Sequence, residues 1–137
     1  MSAALVADTS ALLAALFAEP QRDAILVALA EADSAMLSSC CLLEASIVAS
    51  SRLGAQGPAE LELLLDVFDV ETVSFTADQA RLATDAWQRF GRGRHPAGLN
   101  IIDCCSYALA SETQRPLLAV GEDFRRTDAQ LVGLTLA

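Results

Sequence analysis

The chain has 137 residues, 53% of them hydrophobic, with a formal net charge of −9 and a mean hydropathy of +0.39. This length suits a single domain, residues 1–137, and the apolar content excludes a disordered chain. The charge-free stretch at 34–43 has only 10 residues, half of the ~20 that a membrane-spanning helix requires, so a membrane protein is excluded.

The start of the chain and its cysteines indicate a compartment. No basic residue precedes Arg22, so the positive start of a secretory signal is missing and we expect a cytoplasmic protein. The cysteines form two adjacent pairs, at 40–41 and 104–105. Adjacent cysteines bridge each other only with strain, and neither this spacing nor the single histidine suits zinc. We therefore expect reduced thiols in the core.

Apolar runs alternate with helix-start signals along the chain. In order, we predict a strand at 3–7, a helix over 11–18 capped by Thr9-Ser10, a helix from Pro20, a strand at 35–37, and a helix to about Leu53 capped by Ser38-Ser39. After these, we predict a helix from Pro58, a strand at 72–74, and a helix that begins at the Thr76/Gln79 capping box. A loop at 91–98 then leads to a helix capped by Asn100 and to strands at 117–120 and 131–134. This alternation predicts a parallel sheet covered by helices, with Trp87 in the core.

Four acidic residues lie where such a sheet usually places chemistry. Asp8 closes the first strand and Asp123 follows the strand at 117–120, while Asp103 lies one turn after Asn100. Glu44 lies on the apolar side of the helix after the second strand. Because parallel sheets bind ligands beyond the carboxyl ends of their strands, we expect these carboxylates to meet.

The surroundings of two of these acids favour a metal ion. Glu44 and Asp103 are flanked by apolar residues and by no Arg within four positions, and a carboxylate in such surroundings is costly unless paired or metal-bound. Oxygen ligands alone indicate Mg²⁺, for which Mn²⁺ can substitute. Each acid also has a simpler interpretation: Asp8 as a helix cap, Asp103 at a positive helix end, Glu44 facing solvent, or Asp123 in a turn.

The ordered acids resemble those of PIN-domain nucleases. The resemblance rests on Asp8-Thr9-Ser10, Glu44, Asp103 within Leu99–Cys104, and Gly121-Glu122-Asp123-Phe124. The loop Phe90–Asn100 is in addition similar to one branch of VapC-type toxins. The resemblance spans the whole chain. It implies a PIN-like three-layer α/β/α sandwich with a central parallel sheet of about five short strands. The Ala119-Val120-Gly121-Glu122 segment departs from the family pattern, which leaves Glu122 or Asp128 as alternatives for the fourth position.

The resemblance also implies a function, which we state as an expectation. It implies a Mg²⁺-dependent endoribonuclease that is the toxin of a toxin–antitoxin pair, neutralised by a cognate antitoxin whose tail enters the acidic groove. It further implies a homodimer, for which the helices from Leu42 to Phe68 are the candidate interface. This dimer could also be part of a toxin–antitoxin hetero-oligomer. The assigned roles are metal binding and catalysis by Asp8, Glu44, Asp103 and Asp123, a supporting shell of Thr9, Ser10 and Asn100, and RNA binding by Arg89, Arg92, Arg94 and His95, with Arg125 and Arg126 as further candidates.

Two other functions remain open at this point. A phosphatase or receiver-like domain would use Asp8 as a nucleophile, but receivers rely on a Lys and all nine basic residues here are Arg. A PIN-fold protein-binding module without activity would not need four acids. Ser10 is equally well explained as a helix cap and as a support for a metal-binding carboxylate.

Overall fold

The computed structural model describes residues 4–134, and within them the chain forms four strands and six α-helices. In chain order these are β1 (Ala4–Ala7), α1 (Thr9–Leu16), α2 (Arg22–Glu31), β2 (Ser34–Ser38), α3 (Ser39–Leu53), α4 (Gly57–Val67), β3 (Val70–Val73), α5 (Ala77–Phe90), α6 (Ile101–Thr113) and β4 (Leu117–Leu118). Short 3-10 helices lie at Gly54–Gln56 and Phe124–Arg126. None of the described helices is long and apolar enough to span a membrane.

The four strands form one sheet in the order β3-β2-β1-β4, and every pair is parallel. The chain first builds outward from β1 to β3 and then returns to place β4 on the other side of β1. The order therefore reverses between β1 and β4. In open parallel sheets, the crevice at the carboxyl ends of the strands beside such a reversal is where ligands bind.

Helices cover both faces of this sheet. Alternate residues of a strand point to opposite faces, and Leu5, Ala7 and Leu37 belong to a buried cluster with residues of α1 to α4. Val6 and Leu117 belong to a second cluster, with residues of α5 and α6. The predicted three-layer α/β/α sandwich is thus confirmed.

The end of the chain differs from the predicted strand count. The expected strand at 131–134 is reduced, in the described residues, to a single parallel bridge between Leu131 and Leu117. The sheet therefore has four strands rather than five, because β4 itself has only two residues to pair with. The prediction of a first strand from Ala3 reaches outside the described residues.

Three local predictions are corrected. Asp8, rather than Thr9 or Ser10, caps α1. Thr76 caps α5, but the Gln79 side chain donates to the Ser74 carbonyl at 3.3 Å instead of closing a capping box. Trp87 is 41% exposed rather than core, because α5 buries a stripe through Gln79 and Ala86 and a one-residue step turns the side chain by about 100°.

The four cysteines are free thiols, as predicted, and three of them are buried.

Candidate metal and nucleic-acid site

Asp8 is a buried carboxylate at the carboxyl end of β1. It is 3% exposed, and as the cap of α1 its Oδ2 accepts hydrogen bonds from the Ser10 N–H at 3.0 Å and the Ser10 hydroxyl at 2.7 Å. The Val120 N–H in turn donates to the Ser10 oxygen at 3.0 Å. Ser10 therefore acts both as part of the helix cap and as a link between Asp8 and the segment after β4.

Ser106 is a site residue that the sequence analysis missed. It is fully buried in α6, and its hydroxyl donates to Asp8 Oδ1 at 2.5 Å. Cys41 Sγ lies 3.0 Å from the same hydroxyl, and since the serine proton is used by Asp8, the thiol is the donor of that contact. Burial and the nearby Asp8 raise the pKa of Cys41 to about 12, which keeps the thiol protonated. The signal in the sequence was the spacing: Ser106 lies three residues after Asp103, on the same side of the helix.

Asp103 lies in the first turn of α6 and completes a capping box. Its backbone N–H donates to Asn100 Oδ1 at 2.8 Å, and its Oδ2 accepts from the Asn100 N–H at 3.0 Å. Partial burial raises the pKa of Asp103 to about 6, and the nearby carboxylates of Asp8, Asp123 and Glu44 add to the rise. Asp103 is thus electrostatically coupled to the other three predicted site acids.

Glu44 and Asp123, the other two predicted site acids, lie on two other parts of the chain. Glu44 is half-buried on α3, three residues after the buried Cys41. Asp123 is exposed and immediately precedes the 3-10 helix that follows β4. Both act on Asp103 through their charge, so the four acids share one region at the carboxyl edge of the sheet.

The donor chemistry of this region suits a hard divalent cation, although the side chains are spread more widely than a coordination sphere. All four groups offer oxygen, and Asp8 accepts three hydrogen bonds of about four that a carboxylate can accept, so one lone pair is left. Within residues 4–134, no three His, Cys, Asp or Glu side chains form a ready-made ligand group. An ion would therefore have to draw Glu44 and Asp123 inward.

The alternatives for the fourth acid lie in different surroundings. Glu122 is exposed and pairs with Arg125 at 3.5 Å. Asp128 accepts from Arg89 at 2.8 Å and from the Tyr107 hydroxyl, and these contacts hold the pKa of Asp128 below its usual value. The charge of Asp123 helps to raise the pKa of Asp103, whereas Glu122 and Asp128 are each paired with an arginine. This placement favours Asp123 for the fourth position.

The supporting residues differ in what they touch. Ser10 and Asn100 hydrogen-bond directly to Asp8 and Asp103. Thr9 is buried, and its hydroxyl donates to the Cys41 carbonyl at 3.4 Å rather than to a site carboxylate. Thr9 therefore ties α1 to α3.

The predicted RNA-binding residues divide into engaged and available groups. Arg89 bonds to Asp128 and lies 4.7 Å above the Phe90 ring, while His95 accepts from the Ala97 N–H at 3.0 Å and meets Phe90 edge-on. Arg92 and Arg94 are exposed, and among the described residues neither pairs with a carboxylate. These two guanidinium groups remain available to an anion.

The further arginine candidates, Arg125 and Arg126, lie in the 3-10 helix after Asp123. Arg125 pairs with Glu122, whereas Arg126 donates to the Pro96 carbonyl at 3.3 Å. Arg126 thereby joins the segment after β4 to the loop at 91–98.

Comparison with known proteins identifies the family of this chain. The PIN domain model matches residues 5–130. The chain is 46% identical over 128 residues to "Ribonuclease VapC" of Mycolicibacterium smegmatis, covering 93% of this chain and 99% of that protein. It is 42% identical over 130 residues to "Ribonuclease VapC30" of Mycobacterium tuberculosis, covering 95% and 99%.

Solved structures show the same fold. VapC20 of Mycobacterium tuberculosis, described as a sarcin–ricin loop cleaving toxin, has a TM-score of 0.75 at 20% identity, covering 93% of this chain and 98% of that one. VapBC2 of Rickettsia felis, solved on a DNA fragment from its promoter, has a TM-score of 0.70 at 18% identity, covering 95% and 97%. The fold and the site thus define an α/β protein with an acidic crevice. The chain belongs to the PIN-domain family, and its sequence relatives are VapC ribonucleases.

Proposed function

We propose that this protein is a Mg²⁺-dependent endoribonuclease and the toxin of a toxin–antitoxin pair. The observation that carries the proposal is Asp103, a partly buried carboxylate whose pKa is raised by burial and by the charges of three other acids, and which has no ion-pair partner in the described residues. Repulsion of this kind is unfavourable for folding, and a divalent ion would relieve it. The VapC ribonuclease relatives support RNA as the substrate.

The four acids would hold the ion, with Asp8 and Asp103 as the ordered pair and Glu44 and Asp123 closing on it. When bound, Mg²⁺ supplies charge relief on the scissile phosphate and lowers the pKa of coordinated water. Ser106 and Ser10 fix the two oxygens of Asp8, so that this carboxylate keeps one orientation. Asn100 does the same for Asp103.

The arginines of the loop would hold the RNA backbone. A net charge of −9 opposes binding of a polyanion, so cations that lack carboxylate partners must supply the local attraction. Arg92 and Arg94 meet that condition. Arg89 would contribute only after leaving Asp128.

Cleavage of a single-stranded RNA in Mg²⁺ and in EDTA tests the proposal. We expect cleavage in Mg²⁺ only, with Mn²⁺ as a substitute, and a loss of at least about hundredfold in Asp8→Asn, since even outer-shell partners of a metal contribute 10–100-fold. Asp66→Asn, an exposed acid on α4, is the matched control and should cleave like the parent. Equal cleavage by folded Asp8→Asn protein would contradict the proposal.

The partners are part of the same proposal. Structural neighbours include a toxin–antitoxin complex from Klebsiella pneumoniae with a TM-score of 0.70, which supports an antitoxin as a partner of this chain, and we propose that its tail enters the acidic crevice. For a homodimer, the outer face of α3 and α4 exposes apolar side chains, Leu43, Ile47, Leu63 and Val67, each more than half exposed. Leu63→Glu is expected to convert a dimer to a monomer in analytical ultracentrifugation.

A further inference from the structure

An apolar groove lies between α5 and the first turns of α6, beside the acidic region. It encloses about 540 Å³, and its lining includes Phe75, Ala83, Trp87, Ile101, Ile102 and Cys104. This volume lies in the range of small-molecule sites. Asp103 is the sequence neighbour of two lining residues, Ile102 and Cys104, so its backbone lies beside the groove although its side chain does not line it.

Trp87 is an aromatic ring presented at this groove. Its side chain is 41% exposed, and the Arg94 guanidinium lies 4.5 Å from the ring centroid. Gly91 leaves room for the indole, because a Cβ at Gly91 would come within 2.5 Å of Trp87 Cδ1. The ring therefore lies directly against the backbone at Gly91.

Arg94 has no competing partner in the described part of the chain. Its guanidinium forms no ion pair there and lies against the indole ring. An exposed cation–π contact is weaker than the stacking of a nucleic-acid base on an aromatic ring. A base can thus displace the guanidinium from the indole, and the released guanidinium can then bind the adjoining phosphate.

We propose that this groove holds an unpaired base of the RNA, stacked on Trp87 next to the phosphate that Asp8 and Asp103 address, an inference that rests on the proposed nuclease function. An apolar, aromatic-walled groove with a free guanidinium at its rim and an acidic metal region at its end matches the alternation of base and phosphate along a single strand.

The chain provides a direct probe, because Trp87 is its single tryptophan. The emission of the parent protein is titrated in EDTA and low salt with a single-stranded RNA of mixed sequence, and with an oligomer of equal length that carries abasic ribose units. We expect quenching by the RNA with an affinity at least about fivefold higher than for the abasic oligomer. Equal quenching by both oligomers would overturn the proposal.

A matched pair of variants tests the same point without tryptophan emission. Arg52 lies 4.3 Å above the Phe17 ring, and this second arginine–aromatic pair is not part of the groove lining. Trp87→Leu is expected to weaken the anisotropy-measured affinity for labelled RNA by about tenfold, consistent with the stacking of one base. Phe17→Leu should leave it unchanged. Thermal unfolding of both variants establishes that they are folded, and unchanged binding by folded Trp87→Leu would overturn the base site.

Two further results separate this inference from the nuclease proposal. Cleavage of the same RNA in Mg²⁺ with base-independent quenching would contradict the base site alone. Base-dependent quenching without cleavage in any divalent ion would support the base site and contradict the nuclease function. A change of tryptophan emission with protein concentration, in the absence of RNA and abolished by Trp87→Leu, would assign the groove to a second copy and overturn the proposal.

Discussion

Asp103 lies in α6 and Asp128 contacts the same helix through Tyr107, but the charges that act on the two carboxylates are opposite in sign. Asp128 receives hydrogen bonds from Arg89 and the Tyr107 hydroxyl, and these contacts hold its pKa below the usual value. Asp103 faces three acids, and burial together with their charge raises its pKa to about 6. Asp128 therefore has its hydrogen-bonding and charged partners within the chain, whereas no residue of the described chain supplies a cation to Asp103.

This difference separates a structural acid from a functional one. Asp128 joins the segment after the last 3-10 helix to α5 and α6 through Arg89 and Tyr107. Asp103 lies at the carboxyl edge of the sheet beside Asp8, where the strand order reverses. A pKa that is strongly raised by burial, with like charges adding to the rise, is more typical of binding sites than of structural ion pairs.

The largest expected effect is the difference in RNA cleavage between variants of Asp103 and of Asp128. Asp103→Asn should reduce RNA cleavage in Mg²⁺ by at least about hundredfold, because it removes a charge from the proposed metal ligands. Asp128→Asn should change it by only a few-fold, through a less ordered Arg89. Initial rates on one labelled RNA measure both. A loss in Asp128→Asn equal to that in Asp103→Asn would erase the distinction.

A smaller effect concerns Ser106, which contacts Asp8 rather than any proposed substrate group. Ser106→Ala should lower cleavage by about tenfold and shift the Mg²⁺ concentration needed for half-maximal rate upward, since outer-shell partners tune metal affinity. Ser46→Ala, a half-exposed serine on α3, is the control. An unchanged Mg²⁺ requirement in Ser106→Ala would show that the hydrogen bond to Asp8 has no part in metal binding.

The two acids should also have opposite effects on stability in EDTA. Asp103→Asn removes an unfavourable charge and is expected to stabilise the metal-free protein at pH 7 by about 1 kcal/mol, a value reduced for solvent screening. This corresponds to a few degrees in Tm. Asp128→Asn should lower Tm, because Arg89 and Tyr107 lose a charged partner. Calorimetry that gave both variants the same sign would contradict the comparison.

The pH dependence gives the finest discrimination. The native pKa of Asp103, about 6, exceeds the unfolded value of about 3.9, so the folded state binds more protons between these values. The contribution of Asp103 to stability therefore falls as pH rises from about 4 to about 6, and the loss is complete above that window. The Tm difference between Asp103→Asn and the parent should be near zero at pH 4 and largest near pH 7. A difference that is constant over this range would be inconsistent with the raised pKa.

Much of the site was predictable because it depends on local patterns. Asp8 follows an apolar strand, and Asp103 lies three residues after a helix-capping Asn100, so both positions could be read from spacing. The bond between Ser106 and Asp8 could not, since it joins residues 98 positions apart. It depends on where α6 crosses β1, which only the packed fold determines.

The errors have local physical causes. Trp87 fits the apolar pattern of α5, but a helix buries a narrow stripe, and Ala86 rather than Trp87 faces the core. The expected last strand has the right composition, yet β4 presents only two residues, so its partner keeps a single bridge within the described residues. The side-chain pattern of a segment does not show whether the neighbouring strand is long enough to pair with it.

Metal binding tests the central claim most directly. Crystals grown with Mn²⁺ allow the ion to be located by its anomalous scattering. We predict an ion bound to carboxylate oxygens of Asp8 and Asp103, with Glu44 and Asp123 drawn inward, and no such ion in Asp103→Asn crystals. An Mn²⁺ ion bound only elsewhere, or none at millimolar Mn²⁺, would contradict it.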